Sequence, residues 1–219
     1  MAKTSIIITN FNRVKFIDRA IRSCIDQSID RGLSIEIIVV DDGSTDDSLK
    51  LLDMFQASII LVKHDENQGV AAASNSGLRA ATGEFIMRLD ADDFLNKNAV
   101  QTLSSVLIEN PHIAFVYSDH FRVDERGFKE KKIRLDNNET LFDHGAGVIF
   151  RKTILDKIGF YDEELENCED YDFLIRMTKE FEGFYLPLPL YRYHIHGENI
   201  SLRKDREFFK KKVRKNHGL

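Results

Sequence analysis

The sequence predicts an α/β fold, a Rossmann-like and mostly parallel central sheet flanked by helices. Two observations carry that prediction. Short β-branched apolar runs alternate with segments of helical period four times or more, the pattern of βα units. Polar clusters stand where the apolar runs end, which is where open α/β sheets bind ligands. The 219 residues suit one such domain, or one with a small appendage. They suffice to bury a sizeable core.

The elements follow in order. Ile6-Ile7-Ile8 reads as a buried strand that ends in Thr9-Asn10-Phe11-Asn12. Phe16, Ile17, Ala20, Ile21, Cys24 and Ile25 recur at helical spacing within Val14 to Ile29. Ile35 to Val40 is a second strand, closed by Asp41-Asp42-Gly43-Ser44. Ser44 with Asp47 three residues on resembles a capping box for a helix over about Asp46 to Gln56. A third strand at Ile59 to Val62 leads to His64-Asp65, and Gln68 to Ala81 reads as a helix of small residues. Phe85 to Leu89 is a fourth strand ending in Asp90-Ala91-Asp92-Asp93. A helix over Asn98 to Glu109 is broken by Pro111, and a strand follows at Ala114 to Tyr117.

Beyond Asp119 the pattern loosens. Arg122 to Asn138 is highly charged and reads as a hairpin or a mobile loop. Gly145-Ala146-Gly147 precedes a short strand, Val148 to Phe150. Helices are expected around Lys152 to Ile158, ending at Gly159, and over Asp170 to Phe181, stopped by Gly183. Pro187 and Pro189 mark an irregular crossing.

Composition narrows the function. The net charge of −5 gives no pull toward nucleic acid. Cys24 and Cys168 are far apart and form no CxxC pair, which fits a reducing compartment. The N-terminus shows no signal-peptide pattern and no apolar run is long enough to span a bilayer, so a cytoplasmic protein is expected. The turn from Thr9 to Arg13 lacks glycine, and no GxxxxGK[ST] occurs, which disfavours dinucleotide enzymes and P-loop NTPases.

Four clusters can carry chemistry. Three carboxylates at Asp90, Asp92 and Asp93 repel one another unless solvated or neutralised. At a strand end they suit Mn²⁺ or Mg²⁺; the alternative is a solvated turn. Asp42 can accept a hydrogen bond from a nucleobase, or can simply close a turn. Asp170, in Cys168-Glu169-Asp170-Tyr171-Asp172, is a candidate general base, or one of several acids at a helix start. His194-Ile195-His196 offers two imidazoles on one strand face, as ligands or as hydrogen-bonded residues.

Taken together and in order, these segments resemble family 2 glycosyltransferases of the GT-A fold, from about Thr4 to Ser201. The matching stretches are Ser5 to Asn12, Ile38 to Asp46, Asn67 to Asn75, Leu89 to Asp93, Gly159 to Glu163 with Glu169 to Asp172, and Tyr191 to Ser201. The resemblance implies a domain over 1–201, with a nucleotide-sugar half to about residue 118 and an acceptor-side half from 119. It implies that Thr9, Asn12 and Asp42 hold the nucleoside, with Asp90 near ribose and metal. Asp92, Asp93 and His196 would hold Mn²⁺ or Mg²⁺, with His194 as the other imidazole, and Asp170 would be the catalytic base. Where the family often has arginine, this chain has Ser74, and Arg79 is the candidate substitute.

The implied reaction is inverting transfer from a nucleotide sugar, a UDP-sugar by preference, to a hydroxyl of a glycan or lipid-linked acceptor. Processive members carry membrane spans and a tryptophan-containing QxxRW motif. This chain has no tryptophan, so transfer of one or a few sugars is expected. An inactive domain of the same fold and a sugar nucleotidyltransferase are the competing readings. The tail, 202–219, is basic, with Phe208, Phe209 and Val213 interleaved; it reads as an amphipathic helix for an anionic membrane or as a solvated end.

Overall fold

Strand β1 (Ala2–Asn10) takes the centre of the sheet because Thr4 to Ile8 can be buried on both faces. It pairs in parallel with β2 (Leu33–Asp42) on one side and β4 (Phe85–Asp90) on the other, and β3 (Ile60–His64) joins β2. Side chains alternate along β1. Ile6 and Ile8 pack with α1 (Ile17–Ile25) and α4 (Ala99–Glu109), whereas Ile7 packs with α3 (Val70–Ala80) in a second core on the opposite face. α1 buries Ile17, Ala20, Ile21 and Cys24, the stripe its spacing predicts. Full burial of an isoleucine such as Ile21 contributes roughly 1.5–3 kcal/mol. The computed structural model describes residues 1–30, 32–197, 199 and 205–219. Glu198, Ile200 and Ser201 of the closing segment, with Leu202, Arg203 and Lys204 of the tail, lie outside the described residues.

The second half extends the same sheet. The short α2 (Ser48–Asp53) precedes β3, and after β4 come β5 (Phe94–Leu95), β6 (Phe115–Val123) and β7 (Lys129–Ile133). α5 (Asn138–His144), β8 (Val148–Arg151) and a 3₁₀ turn leading into α6 (Leu155–Ile158) follow. α7 (Glu169–Glu180), β9 (Gly183–His194) and α8 (Arg206–Asn216) complete the order. The strands lie β3-β2-β1-β4-β8-β6-β9-β5, with β7 on β6. β8 runs antiparallel to both β4 and β6, so the sheet turns mixed there, and β9 returns parallel to β6. No helix among the described residues is long and apolar enough to cross a membrane.

Several expectations are corrected or sharpened. Ser44 does not cap α2. Its hydroxyl accepts from Asn12 N at 2.9 Å, and the helix begins later, with Asp46 Oδ1 accepting from Ser48 N at 2.9 Å. Pro187 and Pro189 do mark an irregular crossing: β9 runs on past them, but its ladder against β6 shifts register between Ser118 and His120, where prolines have no N–H to give. The charged stretch after Arg122 forms the β6–β7 hairpin and then α5, capped by Asn137 accepting from Thr140 N. The described part of the tail forms a helix, α8, that docks through part of its apolar face, while Phe208 stays 67% exposed. Val213 is 1% exposed and packs with Phe209 against Tyr171 and Ile175 of α7. Lys210 Nζ meets Asp143 Oδ1 at 2.6 Å, and His217 Nε2 meets Asp172 Oδ1 at 2.7 Å.

Candidate active site

A cleft of about 770 Å³ opens at the carboxyl ends of β1, β2 and β4. That volume lies in the range of small-molecule sites. Thr9, Asp42, Asp90 and Asp92 line one side, and Gly145, Glu169 and Asp170 the other. The parallel sheet supplies the first set and α7 the second.

The loops after β1 and β2 are fastened to each other. Asn12 has φ 52°, a left-handed conformation asparagine tolerates. Its Oδ1 accepts from Thr45 N at 2.8 Å and Asp46 N at 3.2 Å. Asp41 accepts from Asn10 Nδ2 and Ser44 N. Asp42 accepts from Gln68 N and Gly69 N at 3.0 and 2.9 Å and meets His64 Nδ1 at 2.6 Å. It therefore ties the end of β2 to the start of α3. Gly43 (φ +72°) sits so close to this junction that a Cβ would lie 2.5 Å from Glu66 C.

Beyond β4, the chain turns into β5, which pairs antiparallel with the end of β9. That pairing carries the two histidines to the aspartates. His196 Nε2 lies 2.8 Å from Asp92 Oδ2, its ring stacked on Phe16. Arg13 Nε stands 3.8 Å from the same oxygen. Burial, then the charge of Asp90, raises the Asp92 carboxyl above its ordinary range, against His196 and Arg13. His194 rests edge-on against Phe16, and neither ring nitrogen has a hydrogen-bond partner among the described residues.

On the opposite wall, acids crowd the first turn of α7, where the helix dipole favours them. Burial raises the Asp170 carboxyl above the usual aspartate range, although Arg88 and Arg206 act against it. Gly145 makes room for that carboxylate: a Cβ there would meet Asp170 Oδ2 at 2.6 Å. Arg88 bridges the walls. Its Nη2 donates to Asp90 Oδ1 at 2.6 Å and its Nη1 to Glu169 Oε1 at 2.9 Å.

The structure thus brings Thr9, Asp42, Asp90, Asp92 and Asp170 to one cleft, with His196 against Asp92. Two expected residues stand elsewhere. Asp93 is 1% exposed and faces inward, its Oδ2 accepting from Tyr191 OH at 2.7 Å and its Oδ1 from His194 N at 2.8 Å. It fastens β9 to the Asp90–Asp93 turn and is not among the residues lining the cleft. Asn12 holds the Thr45–Asp46 backbone and is not among the lining residues. Arg79 does not replace an arginine at Ser74, since it points to Glu163 (3.6 Å) and Phe160 at the rim. Cys168 is buried, its thiol pushed up to about 12, first by burial, so it is no nucleophile. The sequence reading passed over Arg88. Its signal was a lone charge inside an otherwise apolar strand, Phe85-Ile86-Met87-Arg88-Leu89.

Comparison with known proteins agrees with this architecture. The model of glycosyl transferase family 2 matches residues 5–159. The chain belongs to that family. It is 29% identical over 213 residues to a chondroitin synthase of Escherichia coli, covering 91% of this chain and 30% of that protein. It is 29% identical over 187 residues to the poly(ribitol-phosphate) β-N-acetylglucosaminyltransferase TarS of Staphylococcus aureus, covering 80% of this chain and 32% of TarS. The chain therefore spans about a third of the length of these relatives. The structure of S. aureus TarS 1–349 in complex with UDP-GlcNAc superposes with a TM-score of 0.79 at 23% identity, over 96% of this chain and 65% of that one. The mannosyltransferase PcManGT of Pyrobaculum calidifontis, in complex with GDP-Man and Mn²⁺, gives 0.68 at 17%, over 90% of this chain and 58% of that one. The fold is GT-A.

Proposed function

We propose that the chain transfers a glycosyl unit from a nucleotide sugar, a UDP-sugar by preference, to an acceptor hydroxyl in polysaccharide or glycan biosynthesis, with inversion. The observation that carries the reading is the cleft itself. Asp92 stands on one wall, backed by His196, which does not itself line the cleft, and Asp170 stands on the other, with Arg88 tying the two together. The relatives named above support the reaction class, and the UDP-GlcNAc complex of TarS supports uridine as the base.

The donor set suits a divalent ion. Asp92 and His196 offer one oxygen and one nitrogen side by side, and Asp90 adds a half-exposed carboxylate. Among the described residues no three such side chains form a complete cage. That matches ions which share their shell with diphosphate oxygens and water. Bound there, Mn²⁺ or Mg²⁺ would stabilise the negative charge of the leaving nucleoside diphosphate as a Lewis acid. The residues of the chain do the rest. The start of α3 and the Asp42 junction shape the donor side. Asp170, made more basic by burial, takes the proton of the acceptor hydroxyl as it attacks. Arg88 keeps Asp90 and Glu169 in register so that the two walls stay aligned.

Calorimetry with UDP and UDP-sugars, in Mn²⁺ and in EDTA, tests the reading. Binding of one uridine compound that requires the metal and is lost in Asp92→Ala is expected. Absence of any metal-dependent nucleotide binding overturns it.

A further inference from the structure

Among the described residues four arginines line the cleft, and two of them are matched by protein carboxylates. Arg88 is held by Asp90 and Glu169, and Arg13 stands beside Asp92. Arg206 comes from α8, beyond the 5–159 segment that defines the family. Its Nη2 donates to the backbone oxygen of Asp143 at 2.7 Å, which uses one of its five donors. Asp143's own carboxylate is taken by Lys210. Arg122, on β6, forms no ion pair among the described residues, and its Nε is buried without a hydrogen-bond partner.

A second observation is independent of charge. Asn167 lies three residues before Asp170, is 4% exposed and lines the same cleft. Its Oδ1 accepts from Cys168 Sγ, but its Nδ2 has no partner among the described residues. A buried donor left unmatched is costly, so its place at a cleft wall points to a ligand oxygen. Nearby acids do not answer these donors. Glu163 is engaged by Asn75 and Arg79, and Glu166 is solvent-exposed. Arg206 is also near enough to Asp170 to act on its carboxyl, so the unmatched donors stand where an acceptor enters.

We infer that Arg206 and Asn167, which meet through Cys168, form a subsite for an anionic group on the acceptor, which is therefore an acidic glycan. This rests on the glycosyl-transfer reading and specifies its substrate. A carboxylate of a hexuronate and a phosphodiester share the required chemistry: both accept two hydrogen bonds from a guanidinium.

The test is binding to the full chain in UDP and Mn²⁺. Three probes are compared: a hexuronate-bearing oligosaccharide, its carboxyl-reduced neutral counterpart, and an oligo(ribitol phosphate). One of the two anionic probes should bind about tenfold or more tighter than the neutral one, the size of one or two charge-assisted hydrogen bonds. Which one wins identifies the anion. Arg206→Gln and Asn167→Asp should erase the preference while UDP affinity stays within about twofold, and Arg206→Lys, which keeps the charge but not the two-pronged geometry, should keep only part of it. Equal or undetectable binding of all three probes overturns the subsite. A loss of UDP affinity in Arg206→Gln with unchanged acceptor binding overturns it too, by assigning Arg206 to the donor. If UDP does not bind the unmodified chain, the glycosyl-transfer reading itself has failed.

Discussion

The two walls of the cleft are built on opposite plans. At the ends of β1 and β2 most polar groups are already used, Asn10 Oδ1 being the exception. Asn12, Asp41 and Asp42 accept six backbone or side-chain N–H groups from neighbouring loops, so the loops are fixed before any ligand arrives. On the α7 side, Asn167 Nδ2 has no partner among the described residues, and Asp170 keeps an oxygen against a glycine gap. The difference teaches that a constant ligand can be met by a rigid frame, while the variable partner is met by donors left unmatched. Substitutions on the two walls should therefore fail differently.

The sharpest break is Asp170→Asn. Loss of a general base lowers kcat by about 10²–10⁴-fold, with donor affinity retained, because the substitution leaves the other wall untouched. In the unmodified enzyme the acid limb of kcat/KM should lie above pH ~3.9, since burial raises this carboxyl and the base works only when ionised. Steady-state rates across pH, with donor binding measured separately, check both. A rate within a few-fold of the parent removes Asp170 from the mechanism.

Arg88→Met comes next and attacks the bridge between the walls. It strands Glu169, whose side chain is 7% exposed, beside Asp170. Removing one member of a buried pair costs about 3–5 kcal/mol. Urea unfolding should show that loss together with a fall in kcat. Full stability in the variant would mean that Glu169 finds water or a proton, and that the walls are aligned by something else.

How much of this was legible beforehand follows from the physics of each signal. β1 to β4 and their helices were readable because apolar period and length are local properties; Ile6 to Ile8 and the stripe from Ile17 to Cys24 fell where expected. Asp90, Asp92 and Asp170 were found as acids at element ends, and the cleft they share came from topology. What failed was the detail of who bonds to whom. Ser44 looked like a helix cap and serves Asn12 instead; Asp93 looked like a metal ligand and secures β9. Such choices depend on residues 30 to 100 positions away. The docking of α8 was out of reach for the same reason, since its apolar stripe could not name α7 as the element that Val213 and Phe209 meet.

A smaller effect separates the scaffold role of Asn12 from direct ligand contact. Asn12→Ala loses the carbonyl that Thr45 N and Asp46 N donate to and also opposes a positive φ, costing roughly 2–3 kcal/mol. Asn12→Gly accepts the conformation and loses only the carbonyl, about 1 kcal/mol. Donor affinity should follow stability across the pair. If UDP binding falls equally in both, Asn12 touches the nucleoside after all.

The smallest effect lies at the other end of the sheet, remote from the cleft. Glu36 on β2 accepts from Ser5 Oγ (2.5 Å) and Thr82 N (2.7 Å) and meets Lys3 Nζ at 2.5 Å. Burial alone would raise this carboxyl, but those hydrogen bonds outweigh it and hold it at about 2. A depressed value means that the ionised form stabilises the fold. Its contribution is complete above the unfolded value of ~4.3 and fades as pH falls toward about 2. Glu36→Gln lacks that ionisation, so the gap between the two proteins in thermal midpoint should be widest near pH 5 and close by pH 2. The clasp joins β1, β2 and the turn before β4 from the far side of the sheet, so nucleotide affinity should be unchanged throughout. A gap that stays constant with pH would assign the stabilisation to hydrogen-bond shape rather than charge. A change in UDP binding at neutral pH would mean that the scaffold transmits strain along β2 to Asp42, and that the rigid wall of the cleft is less rigid than its hydrogen bonds imply.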